Sequence, residues 1–186
     1  MATTVKKTAK KKGGAWTHSD TKTAAWSRAD KKADWTVKTQ TGIAVMMEVK
    51  GPTAGDTLKW ASHLSPISVI RVSEHGLHAK VLKSIQKETG FSSIDLARCL
   101  QINNRTLQRY QQKNVLMNFE VSERALLVAQ IAEHGREVFG SMEQFRLWLE
   151  IPSTALGGIS PESILNSITG MQLVKAELGR IEHGVY

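Results

Sequence analysis

Apolar residues recur at intervals of three and four along the chain after Gly55, and this is the period of amphipathic helices. The pattern predicts short helices over 56–64, 65–74 and 76–90. Ser65 is placed to cap the second of them, with Pro66 in its first helical position. The third ends at Gly90 and is predicted to bury one face, formed by Leu77, Val81, Leu82 and Ile85.

The next segment, 91–112, has the pattern of two short helices joined by a tight turn, which is a helix-turn-helix. Ser92 or Ser93 caps the first helix, and its inward residues are predicted to be Ile94, Leu96, Ala97 and Leu100. Asn103 and Asn104 form the turn and cap the second helix, which buries Leu107 and Tyr110. Gln101 stands where such turns usually carry glycine, because the backbone there favours a positive φ.

A long helix is predicted to follow, capped by Ser122 and ended by Gly140, with Gly135 marking a bend or a close contact. Its residues available for burial are Leu126, Leu127, Ile131, Val138 and Phe139. Ser141 and Gln144 form a capping box for another helix, which presents Phe145, Trp148 and Leu149 inward.

The segment 150–158 reads as a loop, and the cap, proline and acid at Ser160, Pro161 and Glu162 open a further helix. That helix is predicted to end at Gly170. The last helix is predicted to bury Leu173, Val174, Leu178 and Ile181. The body of the protein is therefore predicted to be all-α.

Residues 1–40 lack this periodicity, and the N-terminal region 1–60 as a whole is predicted to be a largely disordered or loosely structured arm. Residues 1–40 carry ten lysines and arginines against three aspartates, a net +7 out of the chain's +8. The basic cluster Lys10, Lys11 and Lys12 favours attraction to phosphates, although such lysines can also serve only to keep an arm solvated. The apolar run 42–49 is either a strand or the buried start of a helix.

Polar residues on the second helix of the helix-turn-helix indicate DNA binding. Such a helix lies in the major groove, where Asn and Gln pair with adenine and Arg pairs with guanine. The outward residues with this chemistry are Asn103, Asn104, Arg105, Thr106, Gln108, Arg109 and Gln112. The alternative is a solvated helix face in a motif that serves only packing or dimerisation.

The residues with catalytic or ligating chemistry form no constellation that predicts an enzyme. Cys99 is the single cysteine and is expected to be a small buried hydrophobe. His75 and His78 share a helical spacing but lack further ligands, so no metal or cofactor is predicted. No apolar run is long enough to cross a bilayer, and no secretory signal is evident, so a cytoplasmic protein without membrane contact is expected.

The C-terminal fifty residues resemble the toxin-binding domain of the Xre/MbcA/ParS antitoxin family. The shared motifs are "VFG" at 138–140, "WL" at 148–149, "ALGG" at 155–158, Pro161, and "GRIEHGVY" at 179–186. The preceding helix-turn-helix stands where that family has its own. The resemblance implies an Xre-like helix-turn-helix domain at 61–118, a small helical toxin-binding domain at 119–186, and an added basic arm at 1–60.

The resemblance also implies a function. The chain would be the antitoxin of a type II toxin–antitoxin system, a dimer that binds a RES-domain toxin that depletes NAD, and a repressor that binds its own double-stranded operator DNA. Its C-terminal segment would block the active site of the toxin. The toxin-binding residues implied are Trp148, Arg180, Ile181, Glu182, His183, Gly184, Val185 and Tyr186. The alternative is a stand-alone DNA-binding protein of the transcriptional or partition type, without a toxin partner.

Overall fold

The computed structural model describes residues 36–40, 46–52, 55–113 and 115–185. Within these ranges two strands precede nine α-helices. The strands are β1 (Thr36–Gln40) and β2 (Met46–Lys50). The helices are α1 (Thr57–Ser62), α2 (Pro66–His75), α3 (Lys80–Thr89), α4 (Ser93–Cys99), α5 (Asn104–Gln112), α6 (Phe119–Phe139), α7 (Met142–Glu150), α8 (Pro161–Ile164) and α9 (Ile168–Glu182). The predicted all-α body with its helix-turn-helix is confirmed.

The two strands form an antiparallel hairpin upstream of the helical body. Thr36 pairs with Lys50 and Gln40 with Met46. The apolar run 42–49, which the pattern left open between strand and helix, therefore contributes to a strand. The first strand was not predicted, because its sequence TVKTQ is too short and polar for a period to be read. The basic cluster Lys10, Lys11 and Lys12 lies outside the described residues.

Most helix starts follow the predicted capping chemistry. The Ser65 hydroxyl accepts the backbone N–H of Ser68 at 3.2 Å, and Pro66 occupies the first position of α2. Of the two candidate caps of α4, Ser92 is the one used, and it accepts the N–H of Asp95 at 3.1 Å. These side chains satisfy backbone donors that a helix leaves unpaired in its first turn.

The predicted start of α6 at Ser122 is wrong. The helix begins at Phe119, and its N-cap is Asn118, whose carboxamide oxygen accepts the N–H of Val121 at 3.2 Å. Ser122 is instead buried inside the first turn, where its hydroxyl accepts the N–H of Leu77 at 2.9 Å. Asn and Ser cap equally well, so the choice was decided by tertiary contact, which a local pattern does not contain.

The predicted helix end at Gly170 is also wrong. Helix α8 ends at Ile164, Ser167 caps α9, and Gly170 lies in the first turn of α9. A Cβ at Gly170 would lie 1.9 Å from the carbonyl oxygen of Ile164, so glycine here permits a close approach between two helices. A glycine that ends a helix and one that allows close packing look identical in a sequence.

Two residues predicted to face the core face solvent instead. Ile94 is 69 % exposed and Leu173 is 49 % exposed. In α4 the other apolar positions are buried as predicted, whereas in α9 Val174 and Leu178 are buried and Ile181 is only half-buried. In α4 the buried set also includes Cys99, as expected for a small hydrophobe.

Helix α6 is the centre of the packing, since α1, α2, α3, α7 and α9 all contact it. One polar side chain, that of the buried Gln130, ties two of these helices together. Its amide nitrogen donates to the carbonyls of Ala61 at 3.0 Å and Leu64 at 3.2 Å, at the end of α1. Its oxygen accepts from the Lys175 ammonium of α9 at 3.4 Å.

The prediction that Gly135 marks a close contact is confirmed. A Cβ at Gly135 would lie 2.2 Å from the ring of Phe145, which is fully buried on α7. The segment 132–136 reads AEHGR, and the segment 176–180 on α9 reads AELGR. At Gly179, however, a Cβ would meet nothing within 4 Å. The same local sequence thus contains one glycine required by packing and one that is not.

We therefore expect Gly135→Ala to lower the free energy of unfolding by about 2 kcal/mol, because overpacking a tight core outweighs the gain in helix propensity. The matched variant Gly179→Ala should raise it by up to about 1 kcal/mol, since only the propensity changes. Urea unfolding followed by circular dichroism measures both. Equal effects of the two substitutions would contradict the close contact with Phe145.

Candidate functional site

The second helix of the helix-turn-helix, α5, presents a polar face to solvent. Of the residues predicted to contact DNA there, the exposed ones are Asn103, Asn104, Arg105, Gln108, Arg109 and Gln112, and Thr106 is half-buried. Leu107 is fully buried and Tyr110 packs partly against the core, as predicted. The carboxamide oxygen of Asn103 already accepts the N–H of Thr106 at 2.7 Å as the N-cap. This capping bond leaves its amide nitrogen and the second lone pair of its oxygen for any base contact.

The turn between α4 and α5 has the strained backbone that the sequence predicts at Gln101. Gln101 has φ 55°, and it is the one non-glycine residue with positive φ among the described residues. The turn is held by the N–H of Ile102, which donates to the carbonyl of Ala97 at 3.0 Å. An L-residue in this region costs about 1–2 kcal/mol relative to right-handed backbone.

A side-chain network that the sequence pattern missed fixes α5 against the preceding helices. Gln111 donates to the carboxamide oxygen of Gln86 at 2.8 Å, and Gln86 donates to the hydroxyl of Ser93 at 2.9 Å. This joins α3, the start of α4 and the end of α5. Glutamines on exposed helix faces carry no sequence signal for such pairing, because they suit solvent equally well.

The C-terminal segment forms an ordered helix end. Gly184 has φ 65°, its N–H donates to the carbonyl of Ile181 at 3.1 Å, and the N–H of Val185 donates to that of Arg180 at 2.9 Å. These two bonds define a Schellman motif, in which a left-handed glycine reverses the chain and satisfies the last carbonyls. Val185 is 59 % exposed beyond that turn, and Tyr186 lies outside the described residues.

Two buried glutamates hold arginines at the surface near the ends of α6 and α9. Glu133 and Glu177 are almost fully buried, and each lies 2.5 Å from the guanidinium three residues later, in Arg136 and Arg180. Both arginine side chains are 48 % exposed. The buried carboxylate restricts the guanidinium to few orientations, while its outer edge stays accessible to a partner.

The side chain of Glu182 crosses from α9 to α6. Its carboxylate lies 2.9 Å from Nε2 of His134. The hydrogen bond with His134 holds the pKa of the Glu182 carboxyl below its ordinary value, partial desolvation opposes the shift, and the charges of His134 and His183 add to it. The predicted toxin-binding residues of 180–185 thus form one continuous segment at the end of α9, anchored on α6.

Trp148, the remaining predicted toxin-binding residue, lies apart from that segment in an aromatic cluster with Phe139 and Phe145. The centroid of its ring is 5.3 Å from that of Phe139 and 6.0 Å from that of Phe145. Trp148 is only partly buried, so one edge of the indole stays at the surface. Packing in this cluster is a sufficient reason for an aromatic residue at position 148, and contact with a toxin is not needed to explain it.

A second contact between the helix-turn-helix and the C-terminal helices runs along a cleft. Arg98 of α4 forms an ion pair with Glu162 of α8, and it also lies 3.5 Å from Asp95. The same cleft is lined by Cys99 and Arg146. Burial raises the pKa of the Cys99 thiol to about 11, so at neutral pH it is a protonated, unreactive group.

Among the described residues, no group of three or more His, Cys, Asp or Glu is arranged to hold a metal ion. Burial, with a smaller contribution from Lys80, lowers the pKa of His78, which favours a neutral ring. No helix within these ranges is long and apolar enough to span a membrane.

Two family models match the chain in tandem. Residues 68–130 match the antitoxin Xre-like helix-turn-helix domain, and residues 134–184 match the antitoxin Xre/MbcA/ParS C-terminal toxin-binding domain. The chain therefore belongs to the Xre/MbcA/ParS antitoxin family. Both matches meet inside α6, which spans them without a linker.

Curated relatives carry matching names. Antitoxin Xre of Photorhabdus laumondii is 27 % identical over 61 % of this chain and 78 % of its own length. Antitoxin Xre of Yersinia enterocolitica is 29 % identical over 60 % and 76 %. The Prs ADP-ribosylating antitoxin of Sphingobium sp. is 28 % identical over 66 % and 82 %. The Mycobacterium tuberculosis MbcT–MbcA toxin–antitoxin complex contains a chain with TM-score 0.48 and 17 % identity, over 58 % of this chain and 96 % of that one.

The strained turn at Gln101 yields a prediction about stability. Gln101→Gly should raise the free energy of unfolding by about 0.5–1 kcal/mol, because glycine adopts positive φ without steric cost. Gln108→Gly, in the middle of α5, should lower it by about 1 kcal/mol. Thermal unfolding of both variants measures the difference. A loss of stability with Gln101→Gly would mean that its side chain, which lies 3.4 Å from the carbonyl of Arg98, outweighs the backbone strain.

Proposed function

We propose that this antitoxin neutralises a RES-domain toxin by inserting its C-terminal segment, 180–186, into the active site that consumes NAD. The observation that carries the proposal is the exposed, preordered end of α9, with a guanidinium held at its surface by Glu177. The family match to a toxin-binding domain at 134–184 supports the same assignment. The chain would act in the cytoplasm, as a homodimer.

The chemistry of the segment suits a nucleotide site. Arg180 can pair with a catalytic carboxylate of the toxin, because a guanidinium forms bidentate bonds with carboxylates. Val185 adds an exposed apolar side chain beyond the turn at Gly184. A segment already ordered in the free protein loses little conformational entropy on binding, so more of its contact energy appears as affinity.

The names of the relatives bear on the class of toxin. Antitoxin Xre is the printed name of two of them, and that of the Sphingobium relative includes ADP-ribosylating. NAD depletion and ADP-ribosylation both cleave the bond between nicotinamide and ribose. A blocked NAD site would therefore silence either reaction, and we propose NAD depletion because the resemblance of the C-terminal motifs to the Xre/MbcA/ParS family implies it.

We expect Arg180→Ala to weaken toxin binding about 10- to 100-fold, since it removes a charged contact at the start of the segment. Arg136→Ala is the matched control, because that arginine has the same sequence context, ion pair and exposure but lies outside the segment. Calorimetry with purified full-length chain and a catalytically inactive toxin measures both. Equal losses would assign the effect to the ion pairs within the helices.

Deletion of residues 180–186 tests the same proposal in cells. The truncated chain should leave co-expressed toxin lethal and cellular NAD low, while operator binding survives. Circular dichroism of the truncated protein controls for loss of fold. Normal growth of cells that express the toxin with the truncated chain would reject blocking by the segment.

We also propose that the exposed face of α5 binds operator DNA and represses the chain's own operon. The support is the exposed array of amide and guanidinium groups on a helix whose opposite side is anchored by the fully buried Leu107. A stand-alone DNA-binding protein of the transcriptional or partition type is the second candidate, which the same face favours. The two candidates differ in the expected effect of deleting residues 180–186: the deletion releases a toxin only if the chain is an antitoxin.

Arg105→Ala and Arg109→Ala should each weaken operator binding by about 1–3 kcal/mol, which is roughly 5- to 150-fold, with a smaller effect on unrelated duplex DNA. Arg71→Ala is the control, because Arg71 lies on α2 and pairs with Glu74. Fluorescence anisotropy at fixed salt measures the affinities. Unchanged operator affinity in both variants would assign α5 a packing role, and loss of toxin binding would place the face in the toxin interface.

A further inference from the structure

The end of α9 contacts α6 through a pair of side chains. Nε2 of His134 lies 2.9 Å from the carboxylate of Glu182, and their side chains are 21 % and 52 % exposed. The His134 side chain is thus largely covered while its partner lies at the surface. Other bonds of the segment stay within α9: Arg180 pairs with Glu177, and the N–H groups of residues 183–185 donate to α9 carbonyls.

The contact has a geometric consequence. Helix ends fray because their last turn lacks hydrogen bonds on one side. A cross-helix bond at Glu182, one residue before the C-cap His183, restrains this last turn against α6. The direction in which the chain leaves the helix is set by the turn at Gly184, so fixing Glu182 also fixes that direction.

We propose that His134 is a positioning residue that holds the C-terminal segment in its toxin-binding orientation through Glu182. This inference rests on the proposed function for its partner, the toxin, but not for the contact itself. His134 lies before the toxin-binding segment in sequence by more than forty residues, and the sequence alone gave no reason to connect them.

The groups around His134 determine how the contact responds to pH. From α9 the charged or titratable neighbours are Glu182, the adjacent His183, and Lys175, which binds Gln130 one turn earlier. On α6 itself Glu133 pairs with Arg136. From α7 the Phe145 ring, and from α1 the carbonyls of Ala61 and Leu64, contact this stretch of α6, and these three groups are uncharged.

The sign of the response follows from these groups. A protonated His134 forms an ion pair with Glu182, whereas a neutral ring forms only a hydrogen bond. The restraint on the segment is therefore weaker when the ring is neutral than when it is protonated. It also weakens in acid, where Glu182 takes up a proton, although its lowered pKa moves that loss to lower pH.

Three variants of the full chain test the positioning role by calorimetry against a catalytically inactive RES-domain toxin at about pH 6 and about pH 8. His134→Ala should lower affinity about two- to fivefold at the lower pH, the range expected of a partly exposed ion pair. His134→Gln keeps a donor near the position of Nε2 without titrating, so it should retain most of the affinity and lose the part of the pH dependence that wild type owes to this pair. His63→Gln, on an exposed histidine after α1, should change neither.

A measurement on the free protein tests the contact between His134 and Glu182 independently of toxin binding. Carbon-detected NMR should show that the pKa of Glu182 rises in His134→Ala, because its hydrogen bond is gone. An unchanged Glu182 titration, or full pH dependence in His134→Gln, would overturn the proposal. If the wild-type chain binds the toxin and His134→Ala binds it with the same affinity, the positioning role alone is rejected. If the wild-type chain does not bind the toxin, the proposed function is rejected, and with it the toxin as the partner of the segment.

Discussion

The fold depends on one buried amide. Gln130 satisfies two carbonyls at the end of α1 with its nitrogen and receives the Lys175 ammonium on its oxygen. A buried carbonyl without a donor costs about 1–3 kcal/mol, so α1 could not end against α6 without such a group. Because Lys175 belongs to α9, the same side chain relates the first helix of the body to the last. The C-terminal segment is thus connected through α9 to the packing of the helix-turn-helix half.

The position of this amide explains why the two family domains have no linker between them. The helix-turn-helix match ends at residue 130 and the toxin-binding match begins at 134, both within α6. Three polar residues of α6 lie where the two matches meet. Gln130 contacts the end of α1, Glu133 pairs with Arg136 at the surface of α6, and His134 contacts Glu182 of α9. A continuous helix transmits displacement where a flexible linker would absorb it.

Sequence reasoning was most successful where a local signal is sufficient. Caps such as Ser65 and Asn103, the left-handed position of Gln101 and the close approach at Gly135 followed from residue chemistry alone. It failed where two residues were chemically equivalent, as with Ser122 and Asn118, because tertiary contact decided between them. For the same reason, the sequence predicted only part of the proposed site. The "GRIEHGVY" motif pointed to the segment, but Glu177 and His134 carry no local sign that they hold it.

The two AExGR segments show how far identical chemistry is determined by its surroundings. Both place a buried glutamate beside an arginine at the surface, and both contain a glycine next to that arginine. On α6 the Phe145 ring occupies the space beside the glycine, so this segment contributes to the core packing. On α9 the space beside the glycine is open, so the same sequence does not pack against another side chain there. Since the core spans all the helices from α1 to α9 as one cluster, loosening the first copy would also loosen the platform on which the second presents its arginine. The rigidity of the C-terminal segment therefore depends on core packing at a distance from the segment itself.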